Sequence, residues 1–439
     1  MKRHVGFQIL VVLIAAFMML STFACAAAPA ATETTEATEA PAAEPTEEAA
    51  PAIEPVTIEF WHGYSESDGQ IAVLDELISQ FEAANPGITV EPVFMEWSAL
   101  HDGVVAGATT GTLPDVLRGD IAFVPQFGAL NVLVDMGKLP GYADVAASVL
   151  PSANSTTSMN GGNYGLAANT NTKILYYNKT MLDAAGLAVP TTQEEMWNTA
   201  TALSADGKFG FVEAWTGWWN VGPYIWSNGG DVLSPDNTTA TGYINGEAAV
   251  ATIQKLADLY AAKVLTGPTM DPGAVGDTDG WASGTYAMEV DGPWRGSALN
   301  SAGIEYGAVA LPKGTASSTS VLGGEDFMMF TTSSEAEQAA AWKFIQFMAS
   351  EAAQVAMAKV GQMPVSLAAL QNADALAAMP LLPVYVEALQ TAKSRPVIPQ
   401  WSEIEGIVAT KASEAITGVK DAQTAMDEAA TEINALLAG

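Results

Sequence analysis

From Val56 the chain alternates apolar and polar positions through Val56-Thr57-Ile58-Glu59-Phe60-Trp61, the two-residue period of a strand with one buried face. The period then lengthens. Ile71, Leu74, Leu77, Ile78 and Phe81 fall on one face of a helix, which Ser67 and Gln70 are spaced to open as a capping box and Asn85-Pro86-Gly87 closes. Ile88-Thr89-Val90-Glu91-Pro92-Val93 returns to the strand pattern, so the unit is βαβ and the sheet at least partly parallel. Leu113 to Leu117 predicts a buried strand and Ala122 to Leu130 a helix. Lys173 to Tyr177 predicts a strand, followed by a short helix from Asn178 to Ala185 that Gly186 ends, and Thr192 with Glu195 caps the next helix. Tyr243 to Ala262, Glu335 to Ala358 and Ser402 to Leu437 carry apolar positions at threes and fours. In the last of these Ala412, Ile416, Val419, Met426, Ala430, Ile433 and Leu437 define a terminal amphipathic helix packed on its own body. No sequence repeat is present, and the pattern predicts an α/β fold of two open mixed sheets.

The N-terminus follows neither period. Lys2 and Arg3 precede an apolar run from Ile9 to Leu20 that is too short to span a bilayer comfortably, the layout of an export signal over residues 1–24. The single cysteine, Cys25, falls where a bacterial lipoprotein carries its acylated residue. The small residues Ala24 and Ala26 around it also suit ordinary cleavage, and the residues alone leave both open. Residues 25–55 are almost entirely Ala, Thr, Glu and Pro, with little apolar surface to bury. They are expected to form a disordered tether whose r.m.s. reach is roughly 30 Å.

About 385 residues are left for the folded part, too many for one core and enough for two. The 49 acidic against 17 basic residues give a formal charge of −32, which opposes binding to nucleic acid and to anionic lipid headgroups, so membrane attachment is expected to be covalent. One cysteine among 439 residues forms no internal disulfide.

Catalytic signatures are missing. The sequence has no HExxH, GxSxG, GxGxxG or P-loop, and three histidines are too few to build a histidine metal site, so neither cofactor nor metal is expected. Glu325 and Asp326 are neighbours on a predicted strand and point to opposite faces, so they cannot flank one glycosidic bond. Aromatic residues instead gather in polar, glycine-rich stretches: Trp215-Thr216-Gly217-Trp218-Trp219-Asn220 and Asp291-Gly292-Pro293-Trp294-Arg295-Gly296. A sugar ring has an apolar C–H face and a hydroxyl edge, and these segments supply flat indoles together with polar groups to match it.

An ordered series of segments resembles the extracellular solute-binding proteins of sugar-importing ABC transporters, the family that includes maltose-binding protein. The series is Ile58-Glu59-Phe60-Trp61-His62-Gly63, Asn85-Pro86-Gly87-Ile88-Thr89-Val90, Leu113-Pro114-Asp115-Val116, Tyr164-Gly165-Leu166-Ala167, Leu175-Tyr176-Tyr177-Asn178-Lys179, Gly292-Pro293-Trp294 and Trp342-Lys343-Phe344-Ile345-Gln346-Phe347. The resemblance implies two lobes, 56–168 with 310–361 and 169–309 with 362–439. Three crossings would join them, near 168–172, 309–312 and 361–364, and would act as a hinge that closes on ligand.

Carried over by position, it implies ligand contacts from His62, Tyr64 and Glu66 after the first strand and from Arg118 and Asp120. Asn169 stands where relatives often have a carboxylate. Stacking would come from Trp218 or Trp219 and from Trp294, and a ligand-facing turn from Gly323, Gly324 and Glu325. Arg395 and Trp401 would border the cleft. Asp115 is expected to cap a turn, and a structural ion pair with Asp120 is the alternative role for Arg118. The partners implied are a small sugar, with glycerol phosphate or a polyol as the alternative, and the membrane permease subunits of an importer. The soluble part is expected to be a monomer that does no chemistry on its ligand, with a tethered glycoside hydrolase or a sugar-sensing module as the alternative of another class.

Overall fold

The structure, a computed structural model, describes residues 55–66 and 69–438. Twelve strands are present among them: β1 Val56–His62, β2 Ile88–Phe94, β3 Val116–Asp120, the short hairpin β4 Ser158–Met159 and β5 Gly162–Asn163, β6 Leu166–Thr172, β7 Ile174–Asn178, β8 Phe211–Val212, β9 Leu265–Thr266, β10 Met288–Asp291, β11 Tyr306–Val309 and β12 Leu322–Met329. The first large sheet runs β2-β1-β3-β12-β6 and the second β11-β7-β10-β8-β9. Both are mixed. β1 pairs in parallel with β2 and β3, whereas β12 is antiparallel to β3 and β6. In the second sheet β8 is parallel to β9 and β10, while β7 is antiparallel to β10 and β11.

The alternation that marked β1 has its expected consequence. Ile58 and Phe60 are fully buried, and the Phe60 ring meets Phe344 edge-on at 5.2 Å. Phe344 in turn meets Phe81 at 5.3 Å, so the helices Gln70–Ala84 and Glu335–Met348 cover one face of the first sheet. Each such ring withdrawn from water contributes about 1.5–3 kcal/mol. A second core gathers around β7, β8 and β10 beneath the helices Trp218–Ser227, Glu247–Ala261, Trp401–Ile416 and Ala422–Leu437. A third cluster lies on the other face of the second sheet, where Ile174, Tyr176 and Val212 alternate with Leu175 and Phe211 of the second core, and joins them to Trp281, Val355, Met363 and Tyr385.

Several element boundaries differ from the sequence expectation. The first long helix is preceded by Gly69 in the left-handed region at φ 75°, with no side-chain cap; Ser67 lies outside the described residues, and Gln70 accepts the Ser65 N–H at 3.0 Å. The third strand begins at Val116 rather than Leu113, because Asp115 turns its carboxylate to the Glu59 N–H at 2.8 Å. Tyr243 to Gly246 form a turn ahead of the helix Glu247–Ala261. Glu335 to Ala358 is two helices, since Ser350 caps a fresh one by accepting from the Ala353 N–H. The terminal helix is likewise two: Gly418 takes φ 77° and Asp421 caps the second, which leaves Val419 69% exposed in the turn instead of on an apolar face.

The strands also mark where the chain changes sheet. Residues 168–172, expected as a crossing, belong to β6 in the first sheet, and the chain enters the second sheet after Lys173. It returns between Val309 and Leu322.

Candidate functional site

Because β1, β2 and β3 are parallel, their C-terminal ends, His62, Phe94 and Asp120, share one edge of the first sheet, the edge at which open α/β sheets bind ligands. β12 and β6 run past that edge as a two-stranded ribbon, pairing Gly324 with Thr170, Gly323 with Asn171 and Leu322 with Thr172. Lys173 follows at once, and Asp291, the last residue of β10, pairs with Ile174. Glu213, immediately after β8, lies at the same edge of the second sheet, since β8 is parallel to β10. The ligand-binding edges of both sheets therefore adjoin one ribbon.

On the first-sheet side a buried polar cluster centres on Arg118, which is 3% exposed. Its guanidinium donates to Glu325 at 2.7 Å, Asn169 at 2.8 Å and Gln362 at 2.7 Å, and it stacks 4.1 Å from the centre of the Tyr64 ring. The His62 ring lies 5.4 Å from Tyr64 and its Nδ1 accepts the Tyr64 N–H at 3.2 Å. Burial pushes the Glu325 carboxyl up, and the charge of Arg118 opposes that. Glu325 and Asp326 do face opposite ways. Asp326 is fully buried on the core side and accepts the Thr156 hydroxyl at 3.1 Å, and burial raises its carboxyl far above the usual range.

Burial, seconded by the charge of Arg118, pulls the His62 imidazole down to about 4. An unfolded chain protonates this group near its ordinary value of 6.5, so between the two values the unfolded state holds the extra proton. The stability His62 contributes is complete above 6.5 and is lost as pH falls toward 4, about 3 kcal/mol in all. Urea unfolding should show wild type losing that much more than His62→Asn over this window. The buried carboxyls, common to both proteins, cancel in the comparison.

A second cluster ties the first-sheet edge to the segment before the helix Trp401–Ile416. Arg395 donates to Asp120 at 2.5 Å, stands 3.7 Å from Glu405 and lies 5.8 Å from the centre of the Trp219 ring. Glu405 accepts the Trp219 backbone N–H at 3.3 Å, and Ser402 donates to Gln126 at 3.1 Å. Trp219 rests against Gly323, where any side chain would collide with the indole and with Asn171. Gly324 takes φ 136° at the irregularity in β12, a conformation that favours glycine; this stretch is strand, not the expected turn.

On the second-sheet side Trp294 lies 6.4 Å from Trp219, with the ring planes inclined at 32°, and its Nε1 donates to Asp291 at 2.9 Å. Asp291 also pairs with Arg295 at 3.4 Å, and Arg295 with Glu289 at 2.9 Å. Lys173 stands 3.4 Å from Glu213, which also accepts from Asn220 and from the Tyr224 hydroxyl.

Of the residues singled out in the sequence, His62, Tyr64, Arg118, Asn169 and Glu325 converge in one cluster, Asp120, Arg395 and Trp219 in the next, and Trp294 beside Trp219. Glu66 is exposed at the rim. Trp218 and Trp401 are elsewhere. Both are core residues, 0% and 1% exposed, and Trp218 packs edge-on against Trp226 at 5.2 Å. On a helix the next residue is turned by about 100°, so Trp219 and not Trp218 reaches the ribbon. Arg118 pairs with Glu325 rather than Asp120, whose own partner is Arg395. Sequence reasoning missed Gln362, Lys173, Glu213, Asp291 and Glu405. A position at or just beyond the end of a strand would have signalled Glu213 and Asp291; Gln362 and Glu405 carry no local signal.

The model of the bacterial extracellular solute-binding protein family matches residues 76–384. The chain belongs to that family. This solute-binding protein is 24% identical over 415 residues to the sn-glycerol-3-phosphate-binding periplasmic protein of Rhizobium meliloti, a match covering 87% of this chain and 94% of the relative. Among solved structures it resembles maltose-bound MalE3 of T. maritima, with TM-score 0.76 and 25% identity over 87% of this chain and 99% of that one. It also resembles an ABC substrate-binding protein of Listeria monocytogenes solved with cycloalternan, with TM-score 0.80 and 20% identity over 88% of this chain and 100% of that one. The two-lobed α/β fold of the maltose-binding type is thus shared. Family and fold make it a solute-binding protein and not an enzyme. Among the described residues no helix is long and apolar enough to cross a membrane, and no group of three or more His, Cys, Asp or Glu is placed to hold a metal.

Proposed function

We propose that this protein captures a sugar, a disaccharide or short oligosaccharide, between its two sheet edges and presents it to the permease subunits of an ABC importer. The carrying observation is the Trp219–Trp294 pair, with Trp219 resting on the ribbon at Gly323 and Asn171, next along β12 and β6 from Glu325 and Asn169 of the polar cluster around Arg118. Indoles accept the C–H faces of a sugar ring, and the amide and carboxylate bond its hydroxyls. The sugar-bound relatives of the same fold support this choice.

In this reading the lobes are 56–168 with 310–361 and 169–309 with 362–439, and the end of β6, residues 168–172, is the first crossing between them. Binding raises the closed population through contacts made only in that form. The monomer is exported by its signal, cleaved, and held at the membrane by acylated Cys25 through the tether 25–55; of these segments all but Pro55 lies outside the described residues.

Glycerol phosphate is the second reading, favoured by the curated relative. Against it, each arginine at the site is already ion-paired: Arg118 with Glu325, Arg395 with Asp120 and Arg295 with Glu289. A thermal-shift screen over mono-, di- and oligosaccharides, polyols and sugar phosphates tests the choice, because a ligand of the folded state raises the midpoint, by about 2.7 kcal/mol of stability at a hundred times Kd. A neutral sugar should give the largest rise. A rise with sugar phosphates alone would favour the second reading, and no rise anywhere in the panel would defeat both.

A further inference from the structure

Lys173 is a buried cation of the second-sheet edge, 0% exposed, and stands where the chain leaves β6 and enters β7. An ammonium that far from water is costly unless carboxylates answer it. Its backbone is held in place at the crossing: the Lys173 N–H donates to the Ser320 hydroxyl at 3.2 Å, and that hydroxyl donates to the Lys173 carbonyl at 2.7 Å. Ser320 belongs to the stretch between β11 and β12, so the outward and the returning passage between the sheets meet here.

The Lys173 charge acts on two carboxyls, and each of them holds one indole-bearing segment. Glu213, 3.4 Å from Lys173 Nζ, accepts from the Asn220 amide and from the Tyr224 hydroxyl at 2.9 Å, both on the helix that carries Trp219. Asp291, the partner of Ile174 in the β10–β7 pairing, accepts the Trp294 Nε1–H at 2.9 Å. Burial pushes both carboxyls up, and in each the Lys173 charge is foremost in opposing it. Tyr224, Arg295 with its partner Glu289, and the phenols of Tyr176 and Tyr385 are the other titratable or charged groups around them.

We propose that Lys173 is a positioning residue for the sugar platform: its ammonium keeps Glu213 and Asp291 as acceptors, and through them fixes the helix of Trp219 and the ring of Trp294. This rests on the reading of those two indoles as the surface a sugar lies on. Lys173 itself is sealed from solvent, so it sets affinity without touching sugar. Because its backbone lies in the crossing, the platform is also fixed relative to the connection between the sheets.

Indole NMR of the full chain, labelled with 15N-tryptophan, tests this without any ligand. The Trp294 Nε1–H signal, assigned by its loss in Trp294→Phe, follows the Asp291 carboxyl, while Trp281, whose Nε1 donates to Glu289 at 3.0 Å, reports Glu289 separately. In Lys173→Met the pH midpoint of the Trp294 signal should rise by about one unit or more, the usual effect of losing a neighbouring opposite charge. Trp342, whose Nε1 donates to the Pro140 carbonyl beside the first sheet, should not move. Lys173→Met combined with Glu213→Gln guards against a single variant that fails to fold, since neutralising both members of a buried ion pair strands no charge. Its Trp294 midpoint should rise likewise and its melting temperature stay close to wild type, while its calorimetric affinity for maltose at pH 6 should fall about tenfold. An unchanged Trp294 midpoint overturns the proposal, and so does a raised midpoint with unchanged maltose affinity. If wild type takes up no maltose, the choice of sugar has failed and the indole signals alone decide for or against Lys173.

Discussion

Arg118→Met should cost the fold about 3–5 kcal/mol, the usual loss when one member of a buried ion pair is removed and the other left behind. Arg118 is 3% exposed and donates to three acceptors on three separate segments: Asn169 of β6, Glu325 of β12 and Gln362 ahead of Met363. Methionine fills much of the volume but satisfies none of them. The carboxyl of Glu325, already raised by burial, can escape part of the cost by binding a proton, so the loss should be larger at pH 8 than at pH 5. Adding Glu325→Gln should recover a substantial part by removing the stranded charge. Urea unfolding of the two variants checks this. A loss below about 1 kcal/mol in the single variant would mean that the cluster is far weaker than its geometry indicates.

The second large effect concerns affinity. Trp294→Ala should weaken sugar binding by about 2 kcal/mol or more, roughly thirtyfold, as expected for a central aromatic anchor. Trp294 is only partly buried, its Nε1 is fixed by Asp291, and its ring leans toward Trp219, so it presents a held, flat face. The neighbouring core indole serves as the contrast. Trp218→Phe leaves a defect in a core rather than in a binding face, and should lower stability while leaving affinity nearly unchanged. Calorimetric titration alongside thermal melts separates the two. Equal affinity in Trp294→Ala and wild type would remove Trp294 from the site.

Much of the fold was legible because local pattern decides it. The alternation of β1, the apolar stripe of Gln70–Ala84 and the capping box at Thr192 are each written within a few residues. Helix breaks were less legible. An apolar stripe passes through Ser350 and Gly418 almost uninterrupted, and only the capping bonds reveal the break. The site was legible in residue type and not in partnership. Arg118 finds Glu325 207 positions away and Gln362 244 away, distances over which no spacing carries information. The adjacent indoles Trp218 and Trp219 show the same limit more sharply, because composition treats them alike and helix phase sends one to the core and one to the ribbon.

Capture without chemistry is the central claim, and equilibrium dialysis against the best ligand of the thermal-shift screen, followed after overnight incubation by chromatography of the retained solute, tests it most directly. One unaltered sugar molecule retained per chain, with the excess reduced in Trp294→Ala, is the predicted result. Shortened products in the dialysate, or no retention above buffer, would contradict it.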